Sequence, residues 1–344
     1  MENILSIIVP HYCTPEELFR KCISSIIDQD LRNMEVIVID DGSPEDNKAS
    51  LNDIAGDNRV RVIYADHKGV SAARNRGIDE ARGQYVMFVD ADDYLDRSTL
   101  ARIAAHLPRF TGDVIIFTGG LDYAGGVTQN SLFLHEDVDY GKHREDKISI
   151  MESALSAGIL PKGYVQTFSL GSPCCKLLRK EFLDQNHLRF DEEVRFSEDV
   201  LFLMHVYQMA DSIFFYNWYL YNYVVNIHSA TRNYRPGVSR EMDVFFQKMR
   251  DFLGRYELMN DLEMAYYLRA QFEVDRSFYL EYFHLLNHDR NARKQFKDFI
   301  GKEPYKTALS RGFLPRKTIR QKMFGFLVSH GYGDIYRLIR KLKT

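Results

Sequence analysis

Asp90, Asp92 and Asp93 put three carboxylates into four residues, directly after the apolar run Tyr85-Val86-Met87-Phe88-Val89. Hard oxygen ligands in that pattern suit Mg²⁺ or Mn²⁺, ions able to neutralise a diphosphate. A second acidic signal, Asp40-Asp41-Gly42-Ser43, ends the apolar run 34–39, and a polar signal, Pro10-His11-Tyr12, ends the run 4–9. Between the two acidic signals lies Gly69-Val70-Ser71-Ala72-Ala73-Arg74-Asn75-Arg76-Gly77. That stretch reads as a loop entering a helix. Ser71 is its expected cap, Ala72 and Ala73 permit close approach to a sheet, and Arg74 near the helix start favours an anion.

Together these parts suit a nucleoside diphosphate. The Asp41 carboxylate can accept the N3–H of uracil, Asp90 can take a ribose hydroxyl, and Asp92 can hold a metal that bridges phosphates. Pro10, Tyr12 and Ala91 stand beside them at strand ends as further nucleotide contacts. Each residue alone also allows a plainer role: a turn for Asp41, a helix cap for Asp92, a surface ion pair for Arg74. His228, in the stretch 226–232, can reach a diphosphate or metal from a loop or be an ordinary loop residue.

The elements that must position these groups alternate. Residues 4–9 form a buried strand, and Pro15-Glu16-Glu17 then opens a helix with Thr14 as its expected N-cap. Strands follow at 34–39, 60–64, 85–89 and 113–117, and helices at 70–82 and 98–106, with a polar helix after residue 43. Alternating strands and helices indicate a doubly wound α/β sheet, and such sheets bind ligands outside the carboxyl ends of their strands. Beyond residue 118 the glycine pairs Gly119-Gly120 and Gly125-Gly126 mark a hairpin region, 146–157 reads as helix, and 165–225 mixes short elements rich in aromatics. From about Pro236 helical periodicity dominates, and the Tyr and Phe stripe within 264–286 reads as helix core rather than a sugar platform.

Composition sets limits. With 45% hydrophobic and 27% charged residues the chain is an ordinary globular protein, and a formal charge of −3 argues against a nucleic-acid partner. Residues 311–344 carry nine basic residues against Asp334 alone, interleaved with Phe313, Phe324, Phe326 and Tyr332. Such a segment can lie on an anionic membrane surface or pack as a solvated helix. Cys13, Cys22, Cys174 and Cys175 show no metal-ligand spacing and fit a reducing compartment. The N-terminal residues lack the basic and apolar regions of a signal peptide, and no apolar stretch is long enough to span a bilayer.

The ordered set Ser6-Ile7-Ile8-Val9-Pro10-His11-Tyr12, Val38-Ile39-Asp40-Asp41-Gly42-Ser43, Gly69-Val70-Ser71-Ala72-Ala73-Arg74-Asn75-Arg76-Gly77 and Phe88-Val89-Asp90-Ala91-Asp92-Asp93 resembles the family 2 glycosyltransferases of GT-A fold. It is similar to members from bacterial capsule and lipopolysaccharide synthesis. The match is close over 1–120 and looser through Cys175-Lys176-Leu177-Leu178-Arg179 to Ser197-Glu198-Asp199-Val200. The resemblance implies a GT-A-like doubly wound mixed sheet over 1–230, with a nucleotide-binding half at 1–120 and an acceptor half at 121–230, then a helical extension at 231–344 with the basic tail. It implies inverting transfer from a nucleotide-sugar donor, UDP-linked, with Mn²⁺ or Mg²⁺ as cofactor. Asp199 would be the general base, and Glu198 and His228 diphosphate or acceptor contacts.

Two departures stand out. Cys13 occupies a position where the family usually has Asn, and the Gln-x-x-Arg-Trp motif of processive members is absent, since the sole tryptophan is Trp218. Addition of a single sugar to a glycan or lipid-linked acceptor is therefore expected, in the cytoplasm or at the inner face of the cell membrane. A sugar-phosphate nucleotidylyltransferase would need a glycine-rich loop where 9–20 has no glycine. A catalytically inactive nucleotide-sugar binding module is opposed by the presence of Asp92 and Asp199.

Overall fold

The computed structural model describes residues 5–28, 33–54, 56–123, 126–128, 138–140, 143–156, 170–225, 234–286, 288–311, 319–330 and 332. The chain divides into two compact units, Met1–Ala154 with Leu160–Val225, and Leu155–Ile159 with Asn226–Thr344. In the first, β1 (Leu5–His11), α1 (Glu16–Ile27), β2 (Met34–Asp40), α2 (Ala49–Ile54), β3 (Val60–Tyr64), α3 (Val70–Glu80) and β4 (Tyr85–Phe88) alternate as expected. Then follow β5 (Tyr94–Leu95), α4 (Arg97–His106), β6 (Val114–Tyr123), β7 (Gly126–Thr128), β8 (Val138–Asp139), α5 (Arg144–Leu155), β9 (Lys176–Arg179), α6 (Lys180–Gln185), α7 (Glu198–Met209) and β10 (Ile213–Val224).

The strands form one mixed sheet in the order β3-β2-β1-β4-β9-β6-β10-β5, with β7 on β6 and β8 on β10. Strands β1 to β4 pair in parallel, β9 runs antiparallel between β4 and β6, and β10 lies parallel to β6. Register brings the chemistry to one edge: His11 sits opposite Asp40, Asp40 opposite Tyr64, and Ile8 opposite Phe88. The residues that follow β1, β2 and β4 therefore emerge side by side.

Both faces are covered, as the continuous apolar runs require. Leu5, Ile7, Val9, Val36 and Val38 pack with Phe19, Cys22, Ile23 and Ile26 of α1 and with Leu100 and Ile103 of α4. On the other face Ile37 and Ile39 meet Ala73 of α3. A Cβ on Gly77 would stand 2.3 Å from Ile8 Cγ2, so α3 can approach the sheet this closely only because residue 77 has no side chain.

Several local expectations are corrected. Thr14 does not cap α1: the helix starts after Pro15 with no side-chain cap, and Glu16 and Glu17 face its N-terminal dipole instead. Ser71 does not cap α3, because Gly69 takes the cap position at φ 98° and Ser71 is buried in the first turn. Asp92 caps nothing, since α4 is capped by Asp96, which accepts the Thr99 N–H at 2.9 Å. The two-residue strand β5 has too short an apolar signal to be read from sequence, and β6 runs six residues past the expected end at 117.

The second unit holds α8 (Val238–Arg255), α9 (Met259–Ser277), a π-turn at Phe278–Tyr282, α10 (Phe283–Leu285), α11 (Ala292–Ile300), α12 (Tyr305–Arg311) and α13 (Ile319–Ser329). In the aromatic stripe Tyr266, Phe278 and Tyr282 are buried, while Phe272 and Tyr279 remain exposed. The π-turn carries Glu281 under α8, where its carboxylate accepts the Gly237 and Ser239 N–H groups at 2.8 and 3.0 Å.

Gly77→Ala should lower stability by about 1–3 kcal/mol, because α3 must lift or Ile8 must leave its rotamer. Thermal melting followed by circular dichroism reads this, and an unchanged melting temperature would refute the close approach.

Candidate active site

The turn after β4 is built on a tyrosine. The Tyr221 hydroxyl accepts the Asp90 N–H at 3.1 Å and donates to Asp93 Oδ2 at 2.7 Å, while the Val224 N–H donates to Asp93 Oδ1 at 2.7 Å. Asp93 is buried, and burial together with Asp90 and Asp92 pushes its carboxyl well above the usual range. It thus anchors the turn to β10 from inside, with the Asp93 N–H closing onto the Asp90 carbonyl at 3.0 Å. Asp90 and Asp92 stay half-buried at the edge, and Ala91 is buried between them.

Burial and then the Asp90 charge push the Asp92 carboxyl upward. A divalent cation would relieve both effects, so the residue fits a metal. Among the described residues no group of three or more His, Cys, Asp or Glu is arranged to hold an ion.

Arg74 joins the two ends of the site. It is buried, its Nη2 donates to Asp90 Oδ1 at 3.0 Å and its Nη1 to Glu198 Oε1 at 3.2 Å, and its guanidinium lies 5.2 Å from the Phe190 ring centre. Burial rules out a surface ion pair. Desolvation works against the charged form, but the neighbouring carboxylates outweigh it and hold the group protonated. The Asp90 side chain remains one-third exposed, leaving carboxylate surface for a ligand.

Asp41 is almost fully buried and organises the loop before α3. Its Oδ1 accepts the Lys68 N–H at 2.8 Å and its Oδ2 the Gly69 N–H at 2.9 Å. It lines an open cleft of about 650 Å³ with Tyr64, Asp66, Lys68 and Ala72. His67 Nδ1 also lies 2.9 Å from Asp41 Oδ2, so it is the second lone pair of Oδ1 that the turn-forming role leaves for a base contact. Tyr12, 48% exposed just past Pro10, stacks on His67 with ring centres 4.2 Å apart. Below them His11 Nδ1 meets Asp40 Oδ1 at 3.1 Å, and Ser43 Oγ accepts the Cys13 N–H at 3.1 Å, tying the first two strand ends together.

Glu198 and Asp199 form the first turn of α7, behind Ser197 in the left-handed region at φ 57°. That is a costly conformation for a non-glycine residue, and such strain collects at functional sites. Burial and then Asp199 raise the Glu198 carboxyl, against the pull of Arg74. The acidic pair does open a helix, and Arg74 also brings it beside the β4 turn. His228 lies outside the described residues, as do 312–318, 331 and 333–344 of the basic tail. Sequence reasoning missed Tyr221 and the anchoring role of Asp93. Tyr221 sits in the aromatic run Tyr216–Tyr223, where nothing distinguishes one tyrosine from the next.

A mixed α/β sheet thus carries carboxylates at its strand ends, where open α/β sheets bind their ligands. The model of glycosyl transferase family 2 matches residues 6–185, more than half of the chain. The protein therefore belongs to glycosyl transferase family 2 and is a glycosyltransferase. It is 28% identical over 262 residues to the uncharacterised glycosyltransferase EpsJ of Bacillus subtilis, covering 75% of this chain and 72% of EpsJ. To glycosyltransferase GlyG of Streptococcus pneumoniae it is 31% identical over 231 residues, covering 65% and 71%. The crystal structure of S. aureus TarS 1–349 in complex with UDP-GlcNAc superposes with a TM-score of 0.58 at 20% identity, covering 98% of this chain and 90% of that one. At that identity the likeness concerns the fold, which is GT-A.

The Cys13 departure has a structural reading: its φ is 48°, a left-handed conformation that Asn adopts at lower cost than Cys. Cys13→Asn should raise stability by about 1 kcal/mol, seen as a higher melting temperature. A lower one would show that the thiol packs better than the backbone is strained.

Proposed function

We propose that the protein transfers a single sugar from a UDP-linked donor to a glycan or lipid-linked acceptor in bacterial surface-polysaccharide synthesis, with inversion at the anomeric carbon. The observation that carries this reading is the buried Arg74, which holds Asp90 and Glu198 together and so sets the donor carboxylates beside the acidic pair of α7. The fold relationship to TarS, crystallised with UDP and with UDP-GlcNAc, supports a UDP donor. Tyr12 would stack on the uracil, with Pro10 and Asp41 bounding the base, and Asp90 would hold the ribose. The Ala91 backbone would lie against the diphosphate, whose charge Arg74 also senses. When bound at Asp92, Mn²⁺ or Mg²⁺ would neutralise charge on the leaving diphosphate.

Asp199 would take the proton of the acceptor hydroxyl as that oxygen attacks the anomeric carbon from the face opposite the diphosphate. A base so placed contributes about 10²–10⁴-fold to the rate. Glu198, fixed by Arg74, would keep the first turn of α7 in position and contact the acceptor or diphosphate, with His228 as a further contact. The protein would act in the cytoplasm, at the inner face of the cell membrane. No described helix is long and apolar enough to cross a bilayer. Residues 311–344 would instead rest on the surface, and α13 exposes Lys322, Met323 and Phe326 in support.

Calorimetry with UDP should show binding strengthened by Mn²⁺, and Asp92→Ala should remove that metal dependence. Asp199→Asn should keep UDP binding while losing about 10²–10⁴-fold in kcat for whichever UDP-sugar a donor screen identifies. Absence of UDP binding under all conditions would overturn the donor assignment, and an active Asp199→Asn would overturn the base.

For the membrane, Lys322→Gln with Phe326→Ser should weaken co-sedimentation with anionic phosphatidylglycerol vesicles several-fold. Equal sedimentation of variant and wild type would exclude this surface.

A further inference from the structure

His67 makes the two contacts that the reaction outlined above assigns to the donor base. Its imidazole stacks on Tyr12 with ring centres 4.2 Å apart and planes inclined by 21°. Its Nδ1 lies 2.9 Å from the Asp41 carbonyl oxygen and 2.9 Å from Asp41 Oδ2. Both neighbours are acceptors, so Nδ1 carries the proton and donates. Uracil is likewise a flat ring with an N–H at its edge, and the proposed donor pose stacks it on Tyr12 and turns its N3–H to Asp41.

Only one ring can do this at a time. An N–H donates close to the plane of its ring, so the Asp41 oxygens that receive Nδ1–H border the layer in which the imidazole lies. That layer is the one stacked on Tyr12. A base on the opposite face of Tyr12 lies two ring layers from Asp41, and a base on the near face meets the imidazole. We propose that His67 occupies the base slot of the free enzyme and is displaced by the uracil of the donor. The inference deepens the donor assignment and rests on UDP being the donor nucleotide.

The backbone around His67 is pinned, which leaves side-chain rotation as the way out. The Lys68 and Gly69 N–H groups hold the Asp41 carboxylate at 2.8 and 2.9 Å, and a Cβ on Gly42 would stand 2.8 Å from the His67 nitrogen. The His67 side chain itself is more than half exposed, so a change of rotamer carries it into water without disturbing the core. Its departure frees one face of Tyr12 and the Asp41 positions it held. Until then the slot is filled by a competitor tethered to the chain, and the apparent affinity for UDP is the intrinsic affinity reduced by the fraction of molecules whose slot is open.

Calorimetry with UDP and Mn²⁺ compares wild type with His67→Ala. The variant should bind UDP about three- to tenfold more tightly, as expected when one stacked pair no longer has to be broken. Equal affinity overturns the inference, and weaker binding overturns it too, because His67 would then hold the base rather than its place. A second readout follows the ring itself. In wild type carrying ¹³C-labelled histidine and tyrosine, Overhauser contacts between the His67 and Tyr12 rings should be present in the free enzyme and vanish at saturating UDP. Contacts that persist in the UDP complex overturn the inference and leave the donor assignment standing. Failure of UDP to bind either protein overturns the donor assignment, and this inference falls with it.

Discussion

One guanidinium, shared by Asp90 and Glu198, is the contact through which the site closes. Its partners lie 16 and 124 residues away in the chain, and each sits at the start or end of a different element. A buried arginine with two carboxylates is costly to assemble and costly to break: removing one member of such a group typically loses about 3–5 kcal/mol, because the remaining charges stay buried and unpaired. Everything that lets Arg74 reach this depth then becomes a requirement of the fold. Gly77 must lack a side chain so that α3 lies against Ile8, Ala73 must be small against Ile37 and Ile39, and Gly69 must turn the chain into the helix at positive φ.

Tyr221 works alongside that ion group on the other side of the turn. By bonding the Asp90 N–H and the Asp93 carboxylate it holds Asp93 inward and leaves Asp90 and Asp92 half-buried at the sheet's edge. The acidic triplet is therefore divided in role by burial. Asp93 becomes an internal acceptor, while Asp90 and Asp92 keep the exposure a ligand needs.

The strand ends, their order and the acidic signals were legible because apolar runs and terminal carboxylates are local properties of the chain. The glycosyltransferase family and its GT-A fold were legible in the ordered motifs. Helix starts were less so: Thr14 and Ser71 have the side chains of good caps, yet a proline and a glycine took those places because backbone geometry decided. The partners of Arg74, the tyrosine under the acidic turn and the antiparallel insertion of β9 depend on which distant segments meet, and no periodicity records that. The aromatic strand β10 likewise hides Tyr221 among equivalent neighbours.

The position of β9 bears on how the chain reaches this state. Strand β4, which carries the acidic turn, gains its second neighbour only from residues 176–179, about ninety positions later in the sequence. Until that segment has emerged from the ribosome, the parallel half of the sheet ends in an unpaired hydrophobic edge with Tyr85, Val86, Met87 and Phe88 on it. Such an edge readily accepts a strand from another chain. The first 120 residues hold the strand-end carboxylates Asp41, Asp90 and Asp92 yet leave that edge open, so a chain truncated there would expose a strand ready to pair with another copy.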